Sequence, residues 1–502
     1  MRGLTDLLYG QLVKDAQLAA QLTLLELPNL VALLAWSHDA LTPEEVVSLA
    51  GSLESLLARL GRPQALAQAT RAREQGAQRL GAWSHAQFES LRQGIERLLE
   101  QGRLPQAHAA AEQLLQRALA TGEAAYATAA YDIAMAHFNL GSVLRRVGTV
   151  QAALPSLREA RQRFQVLADA GDTLAECMAS AAITEAAGCL LYLGRCDEAA
   201  AAYEEGIGRA EKLGDRRGAA GGRGNLGTVR LEQKRYGEAL ESYLEARQIF
   251  ESLGEPGTIA AFWELIGTAH KGAGQFEQAE QAYRQSLAIN VRQQNRAGEA
   301  STLNGLGSLY EHLGRLEEAA TLYRQATDIY FQLQDGRSEG VARSNLANTL
   351  IKLQRCDEAR RELHRAIECE QAFGHAAAIW NTWAIMHNLE QATGNAQAAE
   401  AARGRAITSY LAYRRAGGDS QSNQAELFAM VLQAIQQSAT TEAGQYLDEW
   451  SEETDDPLYA KTLVAGLRAI LRGDRDPALA ADPNLTYDNA AELQLLLEAV
   501  GT

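Results

Sequence analysis

A forty-residue period runs through the middle of this chain, and self-similarity at that step confines it to stacked supersecondary units, each unable to bury its apolar face alone. Aligned on one small residue, the copies read Ala187, Gly227, Gly267, Gly307 and Ala347, with His387 departing at the sixth. Twelve residues on stands an alanine column, Ala199, Ala239, Ala279, Ala319, Ala359 and Ala399. Four further lies an aromatic column of Tyr203, Tyr243, Tyr283 and Tyr323, which fails at Leu363 and Arg403. A turn slot between two helices holds Gly194, Lys234, Gly274, Gly314, Gln354 and Gly394. A small residue where two antiparallel helices cross leaves a hollow for a large side chain of the other, and the tyrosines are the natural fillers.

Segments such as Asn225 to Ala246 and Gly305 to Ala326 carry all these columns and resemble the tetratricopeptide repeat in a longer-helix variety. The resemblance implies an all-α fold: a right-handed α-solenoid of stacked antiparallel helix pairs. Six residues beyond the usual period of about 34 add roughly a turn to the helices. The extension is expected in the segments ending at Asp215, Glu255 and Asp335. Upstream, Gly141, Gly148, Ala153, Leu157 and Ala160 keep the spacing 46 residues before the Ala187 copy, with Pro155 expected in the first turn of a second helix. Gly102, Ala107 and Leu114 suggest a degenerate copy.

The expected organisation is a helical N-terminal segment over 1–85, a solenoid over 86–416 that becomes regular from about residue 180, a linker at 417–423 and a helical cap over 424–502. In the first segment, Thr42-Pro43-Glu44-Glu45 reads as an N-cap, an N1 proline and a capping-box glutamate, with Gly61 as the stop. The linker is Gly417-Gly418-Asp419-Ser420-Gln421-Ser422-Asn423. Beyond it, 425–437, 458–471 and 490–500 are apolar-periodic, and the acidic run from Asp448 to Asp456 reads as a solvated loop.

Composition excludes several functions. A net charge of −16, from 63 acidic and 47 basic side chains, opposes a nucleic-acid ligand and favours a neutral or basic partner. No signal peptide is apparent, and the stretch Leu18 to Trp36 is interrupted by Glu26, Pro28 and Asn29, so a soluble cytoplasmic protein without membrane partners is expected. The five cysteines form no CxxC pair: Cys196 and Cys356 share one repeat slot as packing residues, and Cys177, Cys189 and Cys369 read as free buried thiols. No metal motif, no P-loop and no GxSxG is present, so no catalytic residue, cofactor or metal is assigned. The string Gly222-Arg223-Gly224-Asn225-Leu226-Gly227 spells GxGxxG but lies within a repeat helix, without the strand and tight turn that a dinucleotide cradle needs.

The concave wall of such a fold is lined by the first helix of each pair. Helical spacing from the small-residue slot, together with the resemblance, puts Asn225, Thr228, Glu232, Glu264, Thr268, Lys271, Asn304, Ser308, Glu311, His312, Ser344, Asn345, Asn348, Lys352 and Asn388 on that wall. Asparagine amides suit a peptide backbone, because each offers a donor and an acceptor. Asn304 and Ser308 are expected to face Ser344 and Asn348, one repeat on, as a two-row polar ladder. The reading is a non-catalytic scaffold that binds a protein or peptide.

A second resemblance concerns context. Glu26-Leu27-Pro28-Asn29-Leu30, with Ala32, Leu33 and Trp36, resembles the segment joining the ATPase part of bacterial STAND signalling proteins to a repeat array. It implies a sensor module acting with an ATPase or effector partner. A peptide-responsive regulator is a further alternative, although no basic helix-turn-helix is apparent in residues 1–85.

Since each unit touches only its neighbours, removal of residues 267–306 preserves the register and is expected to leave a folded, shorter solenoid. A circular dichroism spectrum that becomes mostly coil would contradict modular stacking.

Overall fold

The computed structural model describes residues 16–57, 62–81, 83–371, 378–415, 420–437, 439–453 and 457–501. Its regular elements are all helical among these residues. They are α1 (Ala16–Ala40), α2 (Pro43–Leu57), α3 (Pro63–Gln78), α4 (His85–Glu100), α5 (Leu104–Thr121), α6 (Ala129–Val147), α7 (Val150–Asp169) and α8 (Thr173–Tyr192). The regular array follows with α9 (Cys196–Lys212), α10 (Arg216–Glu232), α11 (Tyr236–Leu253), α12 (Pro256–Gly272), α13 (Phe276–Arg292), α14 (Arg296–His312), α15 (Leu316–Leu333), α16 (Gly336–Lys352), α17 (Cys356–Gln371), α18 (Ile379–Ala392) and α19 (Ala396–Arg415). The chain ends with α20 (Ala425–Gln437), α21 (Thr440–Glu453), α22 (Pro457–Leu471), the short 3₁₀ turn Pro477–Ala480 and α23 (Tyr487–Gly501). Two compact units result, 1–147 with 152–186, and 148–151 with 187–502.

The second unit is an α-solenoid, in which each helix from α9 to α19 packs on the next in sequence. Its repeat is a pair of helices of 17 or 18 residues from α10 to α16. A Cβ added at Gly227 would lie 2.7 Å from the Tyr243 ring, at Gly267 3.0 Å from Tyr283, and at Gly307 2.9 Å from Tyr323. All three tyrosines are fully buried. Close approach of the ring, and not backbone conformation, therefore accounts for these glycines, while the first copy sets Ala187 in one core with Tyr203. Where the tyrosine column ends, the filler changes with its surroundings. Leu363 is buried against the hydrophobic core around Ala347, whereas Arg403 is buried because its guanidinium donates to the carbonyls of Asp482 and Leu485 at 2.9 and 3.1 Å. His387, the large residue in the small slot, turns its Nδ1 to the carbonyl of Ala399 at 2.8 Å.

The turn slot has positive φ at every copy, from 58° at Gln354 to 76° at Gly394. Glycine suits that conformation; Lys234 and Gln354 adopt it at a steric cost of about 1 kcal/mol. A second left-handed turn closes each second helix, at Gly214, Gly254, Gln294 and Gln334. Asp215, Asn295 and Asp335 then cap the following helix through the amides of Gly218, Gly298 and Ser338. The glycines of the GxGxxG string sit inside α10, where Gly222 and Gly224 make room for Ile207 and Phe262.

At the C-terminal end α23 packs on α19. Tyr410 donates to Glu492 at 2.8 Å and accepts from the amide of Gln421 at 2.7 Å, while Trp380, Tyr410 and Tyr413 form an aromatic cluster. Ser422, in the expected linker, is buried and donates to Asn489 at 2.6 Å; residues 417–419 lie outside the described residues.

The first unit has its own cores, one around Leu30, Leu49 and Leu53 and another around Phe88, Leu114 and Ile133. Gly141 faces Leu157 as Gly227 faces Tyr243. The buried Arg73 ties α2, α3 and α4 together by donating to Glu54 at 3.0 Å and to the carbonyl of Ser90 at 2.6 Å. The capping box forms: the Thr42 amide donates to Glu45 at 3.0 Å and the Glu45 amide to Thr42 Oγ1 at 3.3 Å.

Pro28 lies within the continuous α1, whose apolar part, Leu22–Ser37, is shorter than a membrane span. Three expectations need correction. Pro155 lies in the interior of α7, beyond the first turn. The acidic run is helical through Asp448, Glu449, Glu452 and Glu453, because α21 extends to Glu453 and Asp448 pairs with Arg468 on α22; Asp455 and Asp456, like Gly61, lie outside the described residues. Cys177 is exposed, whereas Cys189 is buried and Cys369 partly so. Among the described residues one helix, Thr173–Tyr192, is long and apolar enough to cross a membrane; its Ala175, Ala179, Ala182 and Ala187 are buried in the helical cores.

Gly307→Leu is expected to cost roughly 1–3 kcal/mol by overpacking, and Tyr323→Ala about 3 kcal/mol or more through the cavity left by a buried ring. Thermal unfolding indistinguishable from the parent in either variant would show that the crossing is not core.

Candidate functional site

The polar faces of the first helices meet along α12, α14 and α16, and their side chains bond mainly sideways, to the neighbouring repeat. Lys271 Nζ donates to Ser308 Oγ at 2.9 Å. Asn345 donates to Asn304 at 3.1 Å, Asn348 to Glu311 at 3.2 Å and Lys352 to Glu311 at 2.7 Å. Ser301 donates to Glu264 at 2.7 Å. Partners in each of these pairs lie 37 to 41 residues apart, the repeat step give or take one helical turn.

The core tyrosines reach the same surface with their hydroxyls. Tyr243 donates to Thr228 at 3.1 Å, Tyr283 and Thr268 share a hydrogen bond of 3.0 Å, and Tyr323 donates to Glu311 at 3.1 Å. Each ring thus fills the glycine hollow while its hydroxyl emerges beside the next polar residue of the first helix. Glu311 is the hub, accepting from Tyr323, Asn348 and Lys352. Burial pushes the Tyr283 hydroxyl up to about 12 and raises the Glu264 carboxyl, against the hydrogen bonds from Ser301 and Thr302. Burial also lowers the Lys271 ammonium, opposed by the nearby Glu311.

The expected wall residues divide into those joined in this row and those outside it. Lys271, Asn304, Ser308, Asn345, Asn348 and Lys352 are joined. Thr228 belongs to the tyrosine contact of α10. Asn225, Glu232 and Asn388 are exposed, and His312, also exposed, lays its ring against Phe276 with centroids 5.1 Å apart. Ser344 turns inward: it is buried and bonded to Thr382 at 3.0 Å. The ladder is therefore shifted, with Asn304 meeting Asn345 in place of Ser344, and Asn348 meeting Glu311 in place of Ser308. Ser301, Thr302 and Thr382 lie five or six residues before the small-residue slot, outside the positions that helical spacing assigns to the wall; Thr302 and Thr382 share one repeat phase, and that is the sequence signal for them.

Models of the tetratricopeptide repeat match residues 95–166, 190–252, 258–330 and 341–376. Over these residues the chain is built of tetratricopeptide repeats. No curated protein matches it. Among solved structures, this repeat protein is similar to BtubC (BKLC) from P. vanneervenii, with 22% identity over 44% of this chain and 91% of that one, at a TM-score of 0.39. A STAND protein with a tetratricopeptide repeat sensor from Pyrococcus horikoshii matches with 16% identity and a TM-score of 0.44 over 74% of this chain, which spans 54% of that protein's length. Aspartyl phosphate phosphatase F from Bacillus subtilis matches at 11% identity over 76% of this chain and 97% of that one, with a TM-score of 0.45. With TM-scores below 0.5, none of these bears on the repeat protein's function.

Beneath the surface, Ser344 continues inward through Thr382, which donates to Glu370 at 2.8 Å. Glu370 is buried, and burial pushes its carboxyl up to about 7, with the Thr382 bond opposing. A carboxyl raised in the folded state favours folding below the unfolded value and loses that contribution as pH rises through the folded one. Stability of the second unit is therefore expected to fall between about pH 4.5 and 7 from this group, and Glu370→Gln to flatten that fall. Thermal unfolding at pH 5 and pH 8 checks it; an unaltered pH dependence in the variant would contradict it.

Proposed function

We propose that this chain is a non-catalytic scaffold that binds a protein or peptide along the polar face of its first helices, chiefly over α12, α14 and α16. The observation supporting this is the laterally bonded row from Lys271 to Lys352, hubbed on Glu311. Such a row holds donors and acceptors at a fixed spacing on rigid helices, so an extended peptide meets them with little ordering cost. The ammonium groups already have partners, Lys271 in Ser308 and Lys352 in Glu311. Glu232 is exposed on the same helix face. Together with the net charge of −16, this favours a neutral or basic ligand over an acidic one.

A second reading is a sensor module that acts with an ATPase or effector. It is supported by α1, whose Leu25 and Trp36 are 74% and 58% exposed and offer an apolar contact outside the repeats.

The test starts from the partner retained by the immobilised full chain. Crosslinks are expected on the first helices, and Asn304→Ala combined with Asn348→Ala is expected to weaken binding about tenfold or more, since each hydrogen bond contributes about 0.5–1.5 kcal/mol. Unchanged affinity in calorimetry, or crosslinks confined to the second helices, would contradict the proposal.

A further inference from the structure

A cavity of about 600 Å³ opens in the first unit, between α2, α4 and the segment 126–128 that precedes α6. That volume lies in the range of small-molecule sites. Its most deliberately built wall is His85. Asp132, fully buried, accepts from the His85 Nδ1 at 2.9 Å and from the Tyr126 hydroxyl at 2.8 Å. A carboxylate is costly to bury, and here its two bonds fix one imidazole in orientation and tautomer. With Nδ1 held, Nε2 is the ring nitrogen left to a ligand, on a side chain that is 49% exposed.

The charges around the cavity select the ligand. Glu44, Glu45 and Glu89 line it against the single guanidinium of Arg92. That guanidinium is engaged by Glu89 at 2.9 Å and Glu96 at 2.5 Å, which leaves little for an anion. Glu44, at the rim, is exposed and has no ion pair among the described residues. Ser48 and Ser52 add hydroxyl acceptors, while Val47 and Ala86 supply apolar wall for a short hydrocarbon. We propose that this cavity is a second site, separate from the groove, which binds a small aliphatic amine: the Glu44 carboxylate and the hydroxyls of Ser48 and Ser52 take the ammonium ends, and the neutral His85 Nε2 accepts an N–H.

Asp132 raises the His85 pKa through their hydrogen bond, Glu89 adds to it, and burial and Arg92 oppose it. The proton on Nε2 then competes with the ligand, so affinity rises with pH through the His85 titration.

The experiment is calorimetry on the full chain with 1,5-diaminopentane, and with glutarate as a probe of equal length and opposite charge. One saturable site is expected for the diamine and none for glutarate. Ala86→Trp, which fills the cavity from α4 at unchanged net charge, is expected to weaken diamine binding at least tenfold. Ser52→Trp does the same from α2, in case the first variant does not fold. The absence of a saturable diamine site, tighter binding of glutarate, or diamine binding that survives both fillings would overturn the proposal. Survival would assign the heat to diffuse attraction by a chain of charge −16.

Discussion

The regular array depends on a ring set into a hollow. In each of three successive pairs a glycine of the first helix lies against the tyrosine of the second, with no space for even a Cβ between them. Burying a large aromatic contributes more than any surface contact in the repeat. The same crossing occurs between Gly141 and Leu157 in the first unit, so one steric relation, sixteen residues apart, is used on both sides of the irregular region. In these three copies the forty-residue step follows from it, because each presents the same hollow and the same filler.

That crossing also organises the polar surface. A phenylalanine would fill the hollow equally well, but the tyrosine carries a hydroxyl through to the face of the first helix, where Thr228, Thr268 and Glu311 meet it. Core and groove are thereby one connected structure. The lateral bonds between repeats, from Glu264 and Ser301 to Glu311 and Lys352, then hold neighbouring first helices in a set spacing. A ligand bound on this face, as proposed, would exchange some of these bonds for its own, and binding would then be coupled to repeat spacing.

The period, the turn slot, the fillers and the capping box were legible in the sequence because each rests on local spacing and side-chain size. The wall residues were legible as a face, since helical periodicity assigns it. Their partners were not: which of Ser344 and Asn345 meets Asn304 depends on how far one helix is rotated against the next, and the repeat step alone does not contain that rotation. Ser344, expected on the face, turns inward to Thr382 for this reason. The acidic run is a helix and not a loop because tertiary packing overrides local composition; helix α21 is fixed by Leu447 in the core, with Asp448 paired across to α22. The His85–Asp132 pair gave no sequence signal, as its members are 47 residues apart outside the regular repeats.

A double-mutant cycle at Gly267 and Tyr283 tests the central claim most directly. Denaturant unfolding is measured for Gly267→Leu, Tyr283→Ala and the pair. If the ring occupies the hollow, the leucine enters the space the ring vacates, and the double variant is more stable than the two single effects predict, by a coupling on the order of 1 kcal/mol or more. Strict additivity of the two effects would contradict the account and leave the period without its physical cause.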